Sequence, residues 1–425
     1  MEKLLRFVYE HMSDDLSRLI LNKGRWPEID MDLALACIES RRKLKGKVQE
    51  WHDNPDLVFP LKLSAEQCSS SATGRYKAEL AERIAAASGK ESGEWSIADL
   101  TGGFGVDSWY FSGKAGKVLY NEMQTVLCEA ASHNFRVLGA DNVIISNHAV
   151  IPAAEKEESS GGSLAASPEE LLRDFRPDII FLDPARRGEG GRKVFLIEEC
   201  TPDILTLREE LFSISRHILV KLSPMADISM VCNRLGSTCR EVHIVSAGGE
   251  CKELLIWMDR EWNADYHIHA AELHNDGGHS DFSFTIAREK EAVAQACPDA
   301  LEGCWLFEPG KSLMKAGAFN LISESFGIGK LGVSTHYYIV TDEGKATELK
   351  KYGKIFRIIR CSALDKRSLK EAGKEFPRSE VTARNIPMDT ETLRKKTGVT
   401  SGDDAHIFGL KSDRAGNLLI ITSRA

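Results

Sequence analysis

Short apolar segments alternate with helical patterns between residues 95 and 222 of this 425-residue chain. The apolar segments are WSIADL, GKVLYNEM, NVIIS, DIIFLD and HILVKLS, and each ends in polar or glycine residues. Helical patterns such as QTVLCEAASHNFRVLG lie between them. Because strands that are separated by helices usually pair in parallel, this order predicts an α/β fold with a mostly parallel sheet and crossover helices.

The segment that closes this series has a different pattern. In REVHIVSAGGECKELLIWMD, two strand-like runs are separated only by AGGE, which leaves no room for a helix. We therefore predict an antiparallel hairpin over 241–258. Together with the strands before it, the hairpin predicts a Rossmann-like, seven-stranded sheet whose last strand is inserted in the reverse direction.

The regions that flank this sheet have other patterns. Residues 1–94 carry apolar residues at three- and four-residue spacing, as in LLRFVYEHMSDDLSRLILNK, which predicts a helical N-terminal region. The sheet segment occupies 95–261. Residues 262–345 then predict a small α+β domain, and residues 346–425 predict a second one with a βαβαβ order. We therefore expect four parts along the chain.

Composition argues against several classes of protein. No apolar run approaches the roughly 20 residues that a membrane-spanning helix needs. The amino-terminal segment MEKLLRFVYEHMSDD is mixed in charge, which is not the pattern of a signal peptide. The ten cysteines include no CxxC pair, so neither a disulfide framework nor a zinc site is predicted. We expect a cytoplasmic protein that binds no metal.

Charge is distributed unevenly along the chain. The formal net charge is −8, but residues 346–425 contain 17 Lys and Arg against 10 Asp and Glu, a net charge of +7 that leaves −15 for residues 1–345. A basic domain attached to an acidic body is typical of a protein that holds an anionic polymer. A small domain that is simply basic, with no nucleic-acid partner, explains the same numbers equally well.

A glycine-rich stretch, ADLTGGFGVDS at 98–108, lies where the first predicted strand gives way to a helix. Glycines at such a turn let the backbone approach a ligand closely. Asp99 precedes them, and Glu122 ends the next strand, where an acid can bind both hydroxyls of a ribose. These features fit a dinucleotide or S-adenosylmethionine. The dinucleotide pattern G-x-G-x-x-G needs a third glycine where this chain has Ser108, and the predicted hairpin does not belong to a dinucleotide sheet, so S-adenosylmethionine is favoured.

The stretch IIFLDPARRGEGG at 179–191 ends a strand on Asp183 and Pro184 and continues with two arginines. A carboxylate at this place suits a group that takes part in a reaction. Arg186 and Arg187 suit contacts with phosphate. The alternative structural interpretation is that Asp183 only caps the strand end and that the arginines are solvated.

The order and spacing of these motifs resemble the class I S-adenosylmethionine-dependent methyltransferases over roughly 97–258. The resemblance implies a cofactor site made of Asp99, Thr101, Gly103, Gly105, Glu122 and Asn147. It also matches LDPAR to the family's D/N-P-P-x motif, which lies beside the transferred methyl group. This chain departs from the family pattern at two positions, because Asn147 replaces an acid and Ala185 replaces the second proline.

The whole chain is similar to a bacterial methyltransferase family, found especially among Bacteroides relatives, with a ferredoxin-like insert and a THUMP-like C-terminal domain. On this resemblance, the α+β domain at 262–345 is ferredoxin-like and the basic domain at 346–425 is THUMP-like. THUMP domains proper are associated with RNA-modifying enzymes. The resemblance therefore implies an RNA partner, such as tRNA or rRNA.

Methyl transfer from a sulfonium is an in-line displacement, in which the protein mainly aligns the reacting groups. On this mechanism, Asp183, Pro184 and Arg186 are the candidate catalytic residues, with Asp183 accepting a hydrogen bond from the nucleophile. A covalent route is disfavoured because the DPAR loop has no cysteine and Cys200 is the only thiol nearby in sequence. The candidate substrate-binding residues are Arg187, Lys221, Arg384, Arg394, Lys395 and Lys396.

Two other functions fit the sequence. One is methylation of a small molecule or a protein, with the C-terminal domains serving oligomerisation. The other is a non-catalytic RNA-binding protein with a vestigial cofactor site. Cofactor binding distinguishes the last hypothesis from the other two. Salt-dependent RNA affinity distinguishes RNA methylation from methylation of other substrates.

Overall fold

The computed structural model of the protein describes residues 1–158, 164–186 and 197–424, without the side chains of residues 157, 158, 186 and 424. The chain groups into two compact units. The first contains Met1–Val242 with Glu253–Asp265, and the second contains His243–Lys252 with the chain from Tyr266 onward. No helix among the described residues is long and apolar enough to cross a membrane.

The first unit begins with helices, as the apolar spacing predicts. They are α1 Glu2–Glu10, α2 Leu16–Leu21, α3 Met31–Leu44, α4 Gln49–Asp53, α5 Lys62–Gln67 and α6 Ser71–Ala87. Side-chain caps fix several of the starts, and the Ser70 hydroxyl accepts a hydrogen bond from the Thr73 backbone N–H at the start of α6. The apolar faces of α1 and α3 pack together in one buried cluster.

The rest of the first unit alternates between strands and helices. The strands are β1 Ser96–Asp99, β2 Lys117–Asn121, β3 Val143–Ser146, β4 Ala149–Val150, β5 Ala165–Ala166, β6 Ile179–Leu182, β7 Ala185–Arg186, β8 Cys200–Thr201, β9 His217–Leu222, β10 Cys239–Ala247 and β11 Glu250–Asp259. The helices are α7 Val106–Ser112, α8 Thr125–Val137, α9 Ala153–Glu158, α10 Pro168–Leu172, α11 Ile204–Ile214 and α12 Ile228–Leu235.

The main sheet of this unit has the predicted topology. Seven of its nine strands follow the order β10-β11-β9-β6-β1-β2-β3. The pairs from β9 to β3 are parallel, whereas β11 runs antiparallel to β9. Gly248 and Gly249, both with positive φ, form the tight turn between β10 and β11. Because the strands from β9 to β3 are parallel, their carboxyl ends meet at one edge, where ligands bind in open α/β sheets.

The second unit contains two antiparallel strands, β12 His267–Leu273 and β13 His279–Thr285, and a separate eight-stranded sheet. The larger sheet follows the order β14-β16-β17-β15-β18-β21-β20-β19. Its strands are β14 Gln295–Ala296, β15 Trp305–Pro309, β16 Gly329–Lys330, β17 Tyr338–Val340, β18 Gly353–Ala363, β19 Arg378–Arg384, β20 Thr400–Ser412 and β21 Gly416–Arg424. The helices are α13 Ile286–Glu291, α14 Lys311–Ala316, α15 Leu321–Phe326, α16 Glu343–Leu349, α17 Lys366–Glu375 and α18 Thr390–Thr397.

Candidate active site

The glycine-rich loop follows β1 at the carboxyl edge of the sheet. Gly103 and Gly105 have φ values of 52° and 90°, a region of backbone conformation that favours glycine. A Cβ on Gly102 would lie 2.2 Å from the Tyr120 ring, so this position also has no room for a side chain. The Tyr120 hydroxyl donates a 2.7 Å hydrogen bond to the Gly103 carbonyl. The loop is therefore closely fitted to β2.

Asp99 ends β1 and is buried, with 1% of its surface exposed. Its two carboxyl oxygens accept hydrogen bonds from the Thr101 backbone N–H at 3.1 Å and from the Ser108 hydroxyl at 2.6 Å. Burial raises the pKa of Asp99 to about 8, because an ionised carboxylate is poorly solvated there, although the Ser108 hydroxyl opposes the shift. A cationic group beside this carboxyl would favour its ionised form.

Glu122 and Asn147 join the ends of β2 and β3 to the glycine loop. One Glu122 oxygen accepts a hydrogen bond from the Gly103 backbone N–H at 2.9 Å, and the other accepts one from the Gln124 N–H at the same distance. The Asn147 amide donates to the Glu122 carbonyl at 2.7 Å and accepts from the Thr125 hydroxyl at 2.8 Å. The amide thus has a structural partner on each side. An acid at this position could also accept from the Thr125 hydroxyl, but an ionised acid could not donate to the Glu122 carbonyl.

Asp183 follows β6 and is joined to the glycine loop. Its backbone N–H donates a 2.6 Å hydrogen bond to the Thr101 hydroxyl, and its Oδ2 accepts one from the Lys221 ammonium group at 2.5 Å. Pro184 is buried next to it. The structure therefore brings together the two motifs that the sequence analysis treats separately.

The two arginines of the DPARR stretch are only partly described. The backbone of Ala185 and Arg186 pairs in antiparallel fashion with Thr201 and Cys200. The Arg186 side chain and the whole of Arg187 lie outside the described residues. The prediction that they contact phosphate therefore remains a prediction. Cys200 lies beside the DPAR segment, as its position in sequence suggests, but it is buried.

A buried cluster of charges lies beside Lys221, and none of the sequence motifs predicts it. Lys77 of α6 is fully buried, 2.7 Å from Glu253 of β11 and 3.3 Å from Asp107 of α7. The Ser69 hydroxyl donates a 2.8 Å hydrogen bond to Asp107. Burial alone would lower the pKa of the Lys221 ammonium group, but the negative charges of Asp183, Asp107 and Glu253 outweigh burial and raise it.

The N-terminal helices contribute to the same site through Phe104 of the glycine loop. Phe104 is buried, with its ring centroid 5.3 Å from that of Phe59 and 6.0 Å from that of Trp51. The buried Arg41 guanidinium donates hydrogen bonds to the carbonyls of residues 51, 52, 54 and 57, which fixes the chain around these rings. The helical region is thus part of the support of the loop.

The C-terminal candidates for RNA contact lie in the second unit and differ in their partners. Arg394 lies 3.3 Å from Glu380, and Lys395 lies 2.6 Å from Glu391. Arg384 and Lys396 are exposed and form no ion pair with residues in the described ranges. The latter two are therefore the more available cations.

The strand order and two family models together define the class of fold. The models match a ferredoxin-like domain over residues 305–344 and a THUMP-like domain over residues 353–424. The chain has a class I methyltransferase fold and carries these two domains. Over its whole length it is similar to a candidate methyltransferase from Porphyromonas gingivalis W83, whose crystal structure matches with a TM-score of 0.81 and 26% identity and covers 100% of this chain and 98% of that one.

Other solved structures match part of the chain at much lower similarity. An rRNA methylase from Streptococcus thermophilus has a TM-score of 0.28 and 13% identity over 42% of this chain and 93% of that chain. TrmK of M. capricolum, in complex with S-adenosyl-homocysteine, has a TM-score of 0.28 and 10% identity over 43% of this chain and 70% of that chain. Scores this low carry no argument about the present chain. No curated protein matches its sequence.

Proposed function

We propose that the protein uses S-adenosylmethionine to methylate a nucleotide of structured RNA, either tRNA or rRNA, by direct transfer. The observation that carries this proposal is the 2.6 Å hydrogen bond from the Asp183 N–H to the Thr101 hydroxyl. It holds the DPAR carboxylate next to the glycine loop. A carboxylate in that place can meet a nucleophile that approaches a cofactor bound in the loop.

The cofactor site would consist of Asp99, Thr101, Gly103, Gly105, Glu122 and Asn147. The lack of side-chain volume in the loop fits a ligand that lies close to the backbone, and the buried Asp99 carboxyl fits a cationic group. When bound, the cofactor supplies a methyl group on a positively charged sulfur. Glu122 would accept hydrogen bonds from the ribose hydroxyls, in exchange for those that its two oxygens accept from the backbone N–H groups of Gly103 and Gln124.

Asp183 would orient the nucleophile. Its Oδ1 forms no hydrogen bond with the described residues, and 38% of its side chain is exposed. This oxygen would accept the proton that the nucleophile loses as the lone pair of the nucleophile forms a bond to the methyl carbon. The bond from that carbon to sulfur would break, and its electron pair would leave a neutral thioether. Pro184 fixes the backbone beside it. A covalent intermediate would need an accessible thiolate, and the burial of Cys200 favours direct transfer instead.

The RNA partner is supported by the THUMP-like domain and by its charge. Residues 346–425 have a net charge of +7, and Arg384 and Lys396 are available for phosphate contacts. Arg394 and Lys395 would contribute after releasing their surface partners, which costs little. Such contacts give affinity and position, but they do not choose a sequence.

The proposal is tested by calorimetric titration with S-adenosylhomocysteine and by transfer of a tritiated methyl group to total RNA from a strain that lacks the gene. We expect binding and labelled RNA. Binding of S-adenosylhomocysteine without label in RNA would indicate that the substrate is a small molecule or a protein. No binding would support the hypothesis of a vestigial cofactor site. The Asp183→Ala variant should bind the cofactor normally and transfer no label. If this variant unfolds, Asp183 has a structural role instead.

A further inference from the structure

We propose that Lys221 is a positioning residue, whose ammonium group holds the Asp183 carboxylate in place at the methyl-transfer site and does not bind the substrate. The inference rests on the proposed function and deepens it. It also replaces the prediction from sequence that Lys221 contacts the substrate directly.

The geometry of two neighbouring strands places these side chains together. β9 pairs with β6 in parallel, with Val220 opposite Leu182, so that Lys221 and Asp183 are the next residues on each strand. The Lys221 Nζ lies 2.5 Å from the Asp183 Oδ2. Only 12% of the Lys221 side chain is exposed. The ammonium group is therefore directed at the carboxylate and is largely withdrawn from solvent.

The two oxygens of Asp183 consequently have different roles. The backbone of Asp183 is held by Thr101, and its Oδ2 is held by Lys221. Its Oδ1 has no hydrogen-bond partner in the described part of the chain. A carboxylate held at two points presents its remaining oxygen in one orientation, which reduces the entropy lost when a nucleophile is aligned.

The surroundings of Lys221 keep it positively charged. Besides Asp183, the acids that act on it are Asp107 of α7 and Glu253 of β11, both buried. Lys77, fully buried, lies between these two acids and neutralises part of their charge.

Two groups of the N-terminal helical region also act on Lys221. The positive charge of Lys221 helps to lower the pKa of Lys47, for which burial is the main cause, and it opposes the raised pKa of the half-buried Cys68 thiol. With three acids around it, Lys221 stays charged despite the two further cations Lys47 and Lys77 nearby, as an ion pair with Asp183 requires.

The same acids argue against a phosphate contact by Lys221. A phosphate that reached its ammonium group would approach Asp183, Asp107 and Glu253 as well, and like charges at such distances repel. The phosphate would also displace the 2.5 Å contact with Asp183. A phosphate that approaches the exposed side chains of Arg384 and Lys396 in the second unit does not meet these three acids.

The proposal is tested by following the carboxyl group of Asp183 by NMR at one neutral pH in the full-length, cofactor-free protein. Aspartate is labelled with ¹³C at the side-chain carboxyl, and the Asp183 resonance is identified by its loss in Asp183→Asn. In Lys221→Met, the Asp183 resonance should move away from its wild-type position and broaden, because the 2.5 Å contact that holds the carboxylate is gone. Lys221→Arg, which keeps a cationic donor, should leave the resonance close to the wild-type position.

Lys62→Met is the matched control, because Lys62 forms a similar 2.8 Å ion pair with Glu39 on the surface of the same unit. It should leave the Asp183 carboxyl resonance unchanged. If Lys221→Met fails to fold, Lys221→Gln, which removes the charge and shortens the side chain, should move the resonance in the same way. An Asp183 resonance that is unaltered in a folded, uncharged variant would overturn the proposal.

Methyl transfer to total RNA adds a second readout. Lys221→Met should lower kcat by about 100-fold with little change in KM, as expected for a misaligned catalytic group. A raised KM with unchanged kcat would instead show that Lys221 binds the substrate. The carboxyl NMR measurement needs no RNA, so a displaced Asp183 resonance in a protein that never labels RNA would reject the RNA function and retain the role of Lys221.

Discussion

The methyltransferase core and the C-terminal THUMP-like domain hold their charged side chains in different ways. In the core, Lys77, Asp107 and Glu253 are buried together. In the THUMP-like domain, ion pairs such as Lys395 with Glu391 lie at the surface, with 73% of each side chain exposed. A buried charge group is costly to desolvate, whereas a surface pair contributes little. The difference indicates that the core keeps a costly arrangement beside the candidate active site, whereas the cations of the C-terminal domain can exchange partners at little cost.

Removing one member of the buried cluster should have the largest effect. Lys77→Met leaves Asp107 and Glu253 without their shared cation, so we expect the free energy of unfolding to fall by about 3–5 kcal/mol. Lys395→Met, the matched change at the surface, should cost at most about 0.5 kcal/mol. Chemical denaturation of both variants measures the contrast. Similar losses of stability in the two variants would show that buried and surface ion pairs of this protein do not differ in their contribution.

The next largest effect should come from the buried acid of the glycine loop. Asp99→Asn preserves the shape of the side chain and removes its capacity for negative charge, so affinity for S-adenosylhomocysteine should fall by at least about 100-fold. Calorimetry on the folded variant measures the change. Asn147→Ala is a useful comparison, because the Asn147 amide already has structural partners, and we expect a smaller loss there. Unchanged affinity in Asp99→Asn would show that the cofactor site is elsewhere.

Cofactor affinity should also depend on pH through Asp99. The pKa of this carboxyl is raised to about 8, so the free protein carries the proton at neutral pH. A cationic ligand favours the ionised form, and binding must then release the proton. Affinity for S-adenosylhomocysteine should therefore rise by about tenfold between pH 6 and pH 7 and level off above pH 8. A flat calorimetric profile over this range would contradict the proposed contact.

The smallest effect concerns the surface cations. Lys396 forms no ion pair with the described residues, whereas Lys395 is paired with Glu391. Lys396→Ala should weaken binding to a mixed tRNA preparation. It should also make the slope of log K against log[salt] shallower by the amount expected for the loss of about one phosphate contact. Lys395→Ala should have a smaller effect on both the affinity and the slope. Electrophoretic or fluorescence titrations at several salt concentrations measure the RNA affinity of both variants. Equal losses of affinity would show that breaking the Lys395–Glu391 ion pair costs no free energy.

Sequence patterns predicted the sheet and the two motifs because these features are local. A strand followed by glycines, or by Asp-Pro, is visible within ten residues, and the short turn at 248–249 determined the direction of the last strand. The buried charge cluster was missed because Lys77, Asp107 and Glu253 come from three distant elements. A signal was nevertheless present. Lys77 lies on the same helical face as Ala81 and Ile84, and Glu253 begins the apolar run ELLIWM, so both charges stand where burial is expected.

The packing of Phe104 against Trp51 and Phe59 affects how easily the N-terminal helices separate from the glycine loop. Because the residue belongs to the glycine loop, a ligand that fixes the loop also opposes separation of the N-terminal helices from it. Saturating cofactor should therefore slow amide hydrogen exchange in α4 and in the segment up to Phe59, at positions that contact no ligand. By linkage, truncating or loosening those helices would weaken cofactor affinity by the same free energy. On the proposed function, the helical region would therefore influence cofactor occupancy from a distance.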